Sequence, residues 1–269
     1  MKQRGRLFNL EELNAYKIAY GEPIKGKDIY REIFIPFLVA AGLVFSLYYY
    51  WWLSLLAGFT AVFYSFKVGL PRNIKKAYYL DSFEERNRFV NEMTQFLSNE
   101  NLTVQSALKL YTYRATGEFQ KDLLYLEGGL RDATNQEKIS LFNDLRKKYS
   151  MDIPFDMFVE QLLTSMLEGR RSSESMMEIT KYHNEVKEMQ KKYIRRKDRH
   201  EREFRLSAMY GVAVIVVLTG FLGWDKFIDA YAHTPFSWVF STIYLIYMAK
   251  LYTRKESQMA DDNVMEVTL

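Results

Sequence analysis

Hydrophobic residues are gathered into three uncharged blocks, Ile33 to Phe66, Leu206 to Trp224 and Ala230 to Ala249, set apart by long polar stretches. An uncharged apolar run of about 18 residues or more is long enough to cross a hydrocarbon core of roughly 30 Å as a helix. The first block has 34 residues; as one helix it would be about 51 Å long, more than one moderately tilted span buries. Its centre reads SLYYYWWLS, Ser46 to Ser54, and Tyr and Trp rings favour the membrane interface. This predicts a hairpin turning near residues 49–52, with spans near 33–49 and 52–69. The competing layout is a single strongly tilted helix. The other two blocks predict spans at about 206–224 and 234–250. Core helices of a soluble protein would carry a polar stripe, and VAVIVVL, Val212 to Leu218, has none.

Between Pro71 and Phe204 apolar positions recur at three and four residues, a helical period. Breakers divide this stretch. Asn99 to Asn101 close one helix and Thr103 caps the next, Gly117 and the pair Gly128 and Gly129 interrupt again, and SMDIP at 150–154 forms a loop whose Pro154 opens a helix running to Gly169. Ser175 with Glu178 offers a capping box for a last, long helix. Along it Ile179, Tyr182, Val186, Met189 and Tyr193 follow 3, 4, 3, 4 spacing, the seam of a helix packed on a neighbour. With fewer than three heptads, the stripe fits a core-facing surface or an intermolecular coiled coil.

Charge orients the blocks, because Lys and Arg beside spans stay on the cytoplasmic side. Residues 1–32 hold seven Lys or Arg, the YYYWW turn holds none, RNIKK at 72–76 restores them, and Lys191 to Arg205 carries eight. The connection WDKFIDAYAHTP sets Lys226 against Asp225 and Asp229 and reads as external, and KLYTRK returns the chain inside. The expected fold is all-α, a multi-pass membrane protein with four transmembrane helices and one cytoplasmic helical domain between the second and third. Its parts are a cytoplasmic segment 1–32, a transmembrane hairpin 33–70, the helical domain 71–204, two spans within 205–252 and a cytoplasmic tail 253–269, with both termini cytoplasmic. Arg195, Arg196, Lys197, Arg199, Arg202 and Arg205 are the expected anchors at the lipid headgroups on one side, and Trp51 and Trp52 on the other.

Candidate chemistry is sparse. His183, His200 and His233 lack metal-ligand spacing and the chain has no cysteine. EGRRSSES at 168–175 lacks the glycines and lysine of a phosphate loop, and there is no G-x-S-x-G. No metal site, no cofactor and no enzymatic activity are expected. Residues 67–204 hold 25 Lys or Arg against 22 Asp or Glu, a solvated surface and not the clustered basic face that nucleic acid requires. The basic stretch at 191–205 more simply meets anionic lipid. Uncharged spans disfavour ion or solute transport.

The order of these segments resembles the type II secretion system F-domain family, most closely the TadB and TadC pilus-assembly platforms. It is carried by FVNEMTQFLSNENLTVQSALKL with Ala107 and Leu108, by LLYLEGGLRDATNQEKISLFNDLRKKY with Gly129 and Arg146, by FVEQLLTSMLEGRRSSESMMEITKYHNEV, and by FRLSAMYG with Ser207 and Ala208. The match spans about residues 80–225. Where family members often place a second Gly and an apolar residue, this chain has Arg170, Arg171, Ser172 and Ser173. The resemblance implies a non-catalytic platform of the bacterial inner (plasma) membrane, with a single F-like domain. It would couple a hexameric secretion ATPase to assembly of pilin-like subunits, as a homo- or hetero-oligomer with a second F-domain platform protein. On this reading the contact residues are Glu168, Arg170, Arg171 and Glu174 at the foot of the third element, with Glu127 and Arg131. The rival reading is a membrane-anchored helical scaffold or signalling protein.

Overall fold

The structure, a computed structural model, describes residues 10–99, 101–169 and 173–260. The described residues are helical with no strand, so the fold is all-α. Among the described residues eleven α-helices follow one another: α1 (Leu10–Tyr20), α2 (Gly26–Tyr48), α3 (Trp51–Tyr64), α4 (Leu70–Ser98), α5 (Val104–Thr112), α6 (Gly117–Gly129), α7 (Asn135–Lys148), α8 (Ile153–Glu168), α9 (Ser173–Leu222), α10 (Trp224–Phe227) and α11 (Pro235–Ala260). Short π-helical turns, Ser65–Gly69 and Ile228–Ala232, follow α3 and α10. The chain forms two compact units. Among the described residues one unit holds 24–73 and 193–260, the other 10–23 and 74–192. The sequence boundaries at 71 and 204 fall inside α4 and α9, which pass through them unbroken.

The first unit is built on apolar helices. The long uncharged block breaks at Tyr49, whose φ of 56° is left-handed, and α3 folds back along α2. The two helices approach closely at Gly58, where an added Cβ would stand 2.6 Å from the Phe37 ring. The connection after α9, WDKFIDAYAHTP, is largely helical. The chain turns by 120° at Gly223 into α10 and the second π-helical turn, and Phe227 and Ala232 are fully buried beside Leu47 and Ile215. Tyr49 meets Trp224 and Phe227 edge to face, Tyr50 stacks on His233, and Trp238 Nε1 donates to the carbonyl of Ala232. With Trp51 and Trp52 opening α3, all four tryptophans lie at or beside this aromatic cluster. Among the described residues two helices are long and apolar enough to cross a membrane, Ile29–Tyr48 and Trp51–Ser98, and a third if the bent pair Leu206–Leu222 and Trp224–Ala232 is one span.

In the second unit, Phe89 on α4 is wholly buried, with the rings of Tyr111, Phe119, Phe155 and Phe158 around it. Local signals place the surrounding helices. Thr103 Oγ1 accepts from the Ser106 amide to start α5, and Asp152 caps α8 through the Phe155 amide, with Pro154 in its first turn. Gly169, at φ 65°, ends α8. The capping box stands at Thr134 and Glu137 before α7, while Ser175 falls within the first turn of α9. The inward face of α9 also differs from expectation. Met176, His183 and Gln190 are buried there, whereas Tyr182 and Met189 of the heptad-spaced stripe are exposed and Ile179, Val186 and Tyr193 only half-buried.

Candidate functional site

The side chains that lock α9 onto α4 are polar. Thr94 and Thr180 share a hydrogen bond of 2.7 Å, and Asn91 and Asn184 pair through their amides at 2.9 and 3.1 Å. Asn87 Nδ2 donates to Asn184 Oδ1, and Lys187 Nζ donates to Asn87 Oδ1 at 2.8 Å and to Glu84 at 2.6 Å. An ammonium can only donate, so Lys187 sets the Asn87 amide with its oxygen outward and its nitrogen toward His183. That nitrogen lies 2.9 Å from His183 Nδ1, which therefore accepts. The remaining imidazole proton sits on Nε2, 3.4 Å from Asp152 Oδ1.

Asp152 joins three elements. It caps α8, faces His183, and takes Arg86 Nε on its other oxygen at 2.8 Å, while Arg86 Nη1 donates to Ser82 at 2.6 Å. The guanidinium lies 4.8 Å from the centre of the Tyr149 ring, and His183 stacks on Phe83. Burial alone would push the Asp152 carboxyl up, yet the His183 contact and the Arg86 charge outweigh it and hold it below the usual carboxylate range. Arg86, Asp152 and His183 expose 7%, 4% and 0% of their side chains. They are too enclosed to meet a solute; their chemistry is that of a clamp.

A second polar cluster faces the N-terminal strap α1. Lys148 bridges Glu118 and Asp122 at 2.7 Å each, Tyr78 donates to Glu118, and Tyr149 to Asp122. Burial would raise Glu118 and lower Lys148, but hydrogen bonds from Lys148 and Tyr78 hold the Glu118 carboxyl below its ordinary value, and those to Asp122 and Glu118 raise Lys148. On α1, Tyr16 and Tyr20 rest against Tyr78, and Lys75 pairs with Glu12 at 3.6 Å. The strap reaches α6 at Gly117, at φ 68°, where a Cβ would stand 2.4 Å from the Ala19 carbonyl. Only glycine combines that backbone with that approach.

The uncharacterized protein pXO2-23 of Bacillus anthracis is 37% identical over 265 residues, covering 98% of this chain and 96% of its own length. The chain belongs to the family of that protein. The relationship takes in both units. No protein-family model matches the chain, and no solved structure matches it.

The residues singled out from sequence are scattered. Glu127 is buried on α6 and pairs with Arg131 at 3.4 Å. Glu168 ends α8 and Glu174 begins α9, both exposed, and Arg170 and Arg171 between them lie outside the described residues. Among the described residues no hydrogen bond or ion pair joins Glu127 or Arg131 to Glu168 or Glu174. Trp51, Trp52, Arg195 and Arg202 are exposed, whereas the side chains of Arg196, Lys197, Arg199 and Arg205 lie outside the described set although their backbone is helical. The clamp residues Arg86, Asn87, Asp152, His183 and Lys187 carry no spacing signal. The pairs Arg86–Asp152, Asn87–His183 and Asn87–Lys187 are 66, 96 and 100 residues apart in sequence.

Proposed function

We propose that the chain is a non-catalytic, multi-pass platform of a bacterial cell membrane that passes movement from a hexameric secretion ATPase to the assembly of pilin-like subunits. It works beside a second platform protein carrying a related helical domain. The observation that carries this reading is α9, one helix from Ser173 to Leu222. Its first part is clamped to α4 by a largely half-buried polar ladder, and its last part, Leu206 to Leu222, is uncharged. A helix so held turns any shift of the clamped domain into a shift of an apolar segment.

On this reading the chain crosses the membrane four times with both termini cytoplasmic. The clustering of the Tyr49–Tyr50 turn with Trp224, Phe227 and His233 supports this, because both connections then lie on one face with their aromatic rings at the interface. The eight basic residues between Lys191 and Arg205 hold the opposite face at anionic lipid. Crosslinking in native membranes followed by mass spectrometry tests the proposal, using Lys147 and Lys181, which are exposed. A secretion ATPase and a sister platform protein are the expected partners. Recovery of a kinase or regulator in their place supports the scaffold reading instead.

A further inference from the structure

Two helices carry the chain between the compact units, α4 at residues 73–74 and α9 at 192–193, and a third crossing at 23–24 lies in the loop between α1 and α2. Within the second unit the polar ladder fixes α4 and α9 to each other. If both ran stiff through their crossings, that unit could not shift against the apolar segments. One of them has to yield, and their sequences differ on this point. From Ser173 to Tyr210 α9 holds neither glycine nor proline, the residues at which long helices most often bend.

The crossing of α4 is built otherwise. The helical run that starts at Trp51 reaches Ser98 through the π-helical turn Ser65–Gly69, where the Leu70 amide reaches back five residues to the Ser65 carbonyl. Pro71 stands next and has no amide to give. A π turn and a proline are each a place where a helix bends, and here both fall between residues 65 and 71, just before the crossing.

The pattern of buried residues calls for the turn. Ser65, Leu70 and Ile74 are 9%, 3% and 8% exposed. At about 100° per residue an unbroken α-helix would set Leu70 and Ile74 nearly opposite Ser65, and would bring Arg72 and Lys76 to its side. The extra residue of the π turn rotates Leu70 and Ile74 back toward Ser65. A chain one residue shorter would reach the same arrangement with a plain α-helix, because Leu70 and Ile74 would then follow Ser65 by four and eight positions.

We propose that residues 65–71 form a joint, at which α4 bends against α3 as the second unit moves while α9 crosses as a rigid rod. This deepens the platform reading and rests on it for the movement that the joint takes up.

The test is pulsed electron–electron double resonance on full-length protein in phosphatidylglycerol-containing nanodiscs. The chain has no cysteine, so spin labels attach only at introduced pairs. Leu56→Cys with Ala77→Cys spans the joint, and Met189→Cys with Tyr210→Cys spans the crossing of α9. All four positions are exposed, and each pair is 21 residues apart, about 32 Å along a helix. The distance distribution across the joint is expected to be roughly twice as wide as that along α9, since bending adds to the spread of the labels. Pro71→Ala together with deletion of Val68 is expected to narrow it to the α9 width. Pro71→Ala alone, which leaves the chain length unchanged, is expected to narrow it in part, and decides the matter where the shortened chain does not fold. Equal widths for the two wild-type pairs, a broader α9 pair, or no narrowing in the folded variants overturns the joint. Such a result leaves the crosslinked partners, and with them the platform reading, untouched.

Discussion

Arg86 Nε lies 2.8 Å from Asp152 Oδ2, with both side chains almost wholly withdrawn from solvent. A buried ion pair contributes little net stability against an apolar pair of the same shape, but one partner left alone is costly. Asp152→Leu should therefore destabilise the protein by about 3–5 kcal/mol, whereas Arg86→Met combined with Asp152→Leu should lose markedly less. Urea unfolding followed by circular dichroism in mild detergent measures both. Equal losses in the single and double variants would remove the clamp from this account.

The same carboxylate gives the domain a pH response. Its folded-state value is held below the ordinary 3.8, so its contribution is complete above that value and is lost as pH falls from there through the folded value. Glu118 is depressed too and acts with the same sign. Unfolding midpoints should hold steady from neutral pH to mildly acid conditions and drop only in strong acid. In Asp152→Asn the drop should be shallower; an unchanged acid limb would assign it elsewhere.

The orientation of Asn87, set by Lys187, makes His183 Nδ1 the acceptor and leaves the ring proton on Nε2. With three histidines in the chain, selective ¹⁵N labelling gives a simple spectrum. The His183 resonance should show Nδ1 unprotonated and Nε2 protonated at neutral pH. The opposite tautomer would mean that Asn87 is turned around and that Lys187 has another partner.

At Gly117 the strap and the domain meet. Gly117→Ala combines a left-handed backbone, which costs a non-glycine residue about 1–2 kcal/mol, with a Cβ driven against the Ala19 carbonyl at 2.4 Å and the Tyr20 ring at 2.5 Å. The expected outcome is an undocked α1, read as faster proteolysis at Lys25 with little change in the digestion of α5 to α8. Unchanged cleavage at Lys25 would show that α1 is held by Tyr16 and Lys75 alone.

Several of these features could be read from the chain itself. Thr103, Pro154 and Gly169 announce their helix ends because caps act through neighbours two or three residues away, and the SLYYYWWLS centre announces the break at Tyr49. The capping box before α7 was also legible, as Thr134 followed three residues later by Glu137. The packing face of α9 was not, because apolar periodicity marks Tyr182 and Met189, whereas the contacts that form are made by Thr180, His183, Asn184 and Lys187 with α4 residues some 86 to 100 positions away. No local pattern pairs an asparagine with one that far along the chain. The docking of α1 was hidden for the same reason, since Gly117 reads as a helix break until the Ala19 carbonyl is placed against it.

The topology proposed for the chain turns Trp52 and Lys226 to the outside of the cell and Lys109 and Glu185 to the cytoplasm. Because the chain has no cysteine, single cysteines placed at Trp52, Lys226, Lys109 and Glu185 can be probed with a membrane-impermeant maleimide. Positions 52 and 226 should label in intact cells, and 109 and 185 only after permeabilisation. Labelling of 109 or 185 in intact cells, or protection of 226, would contradict the account.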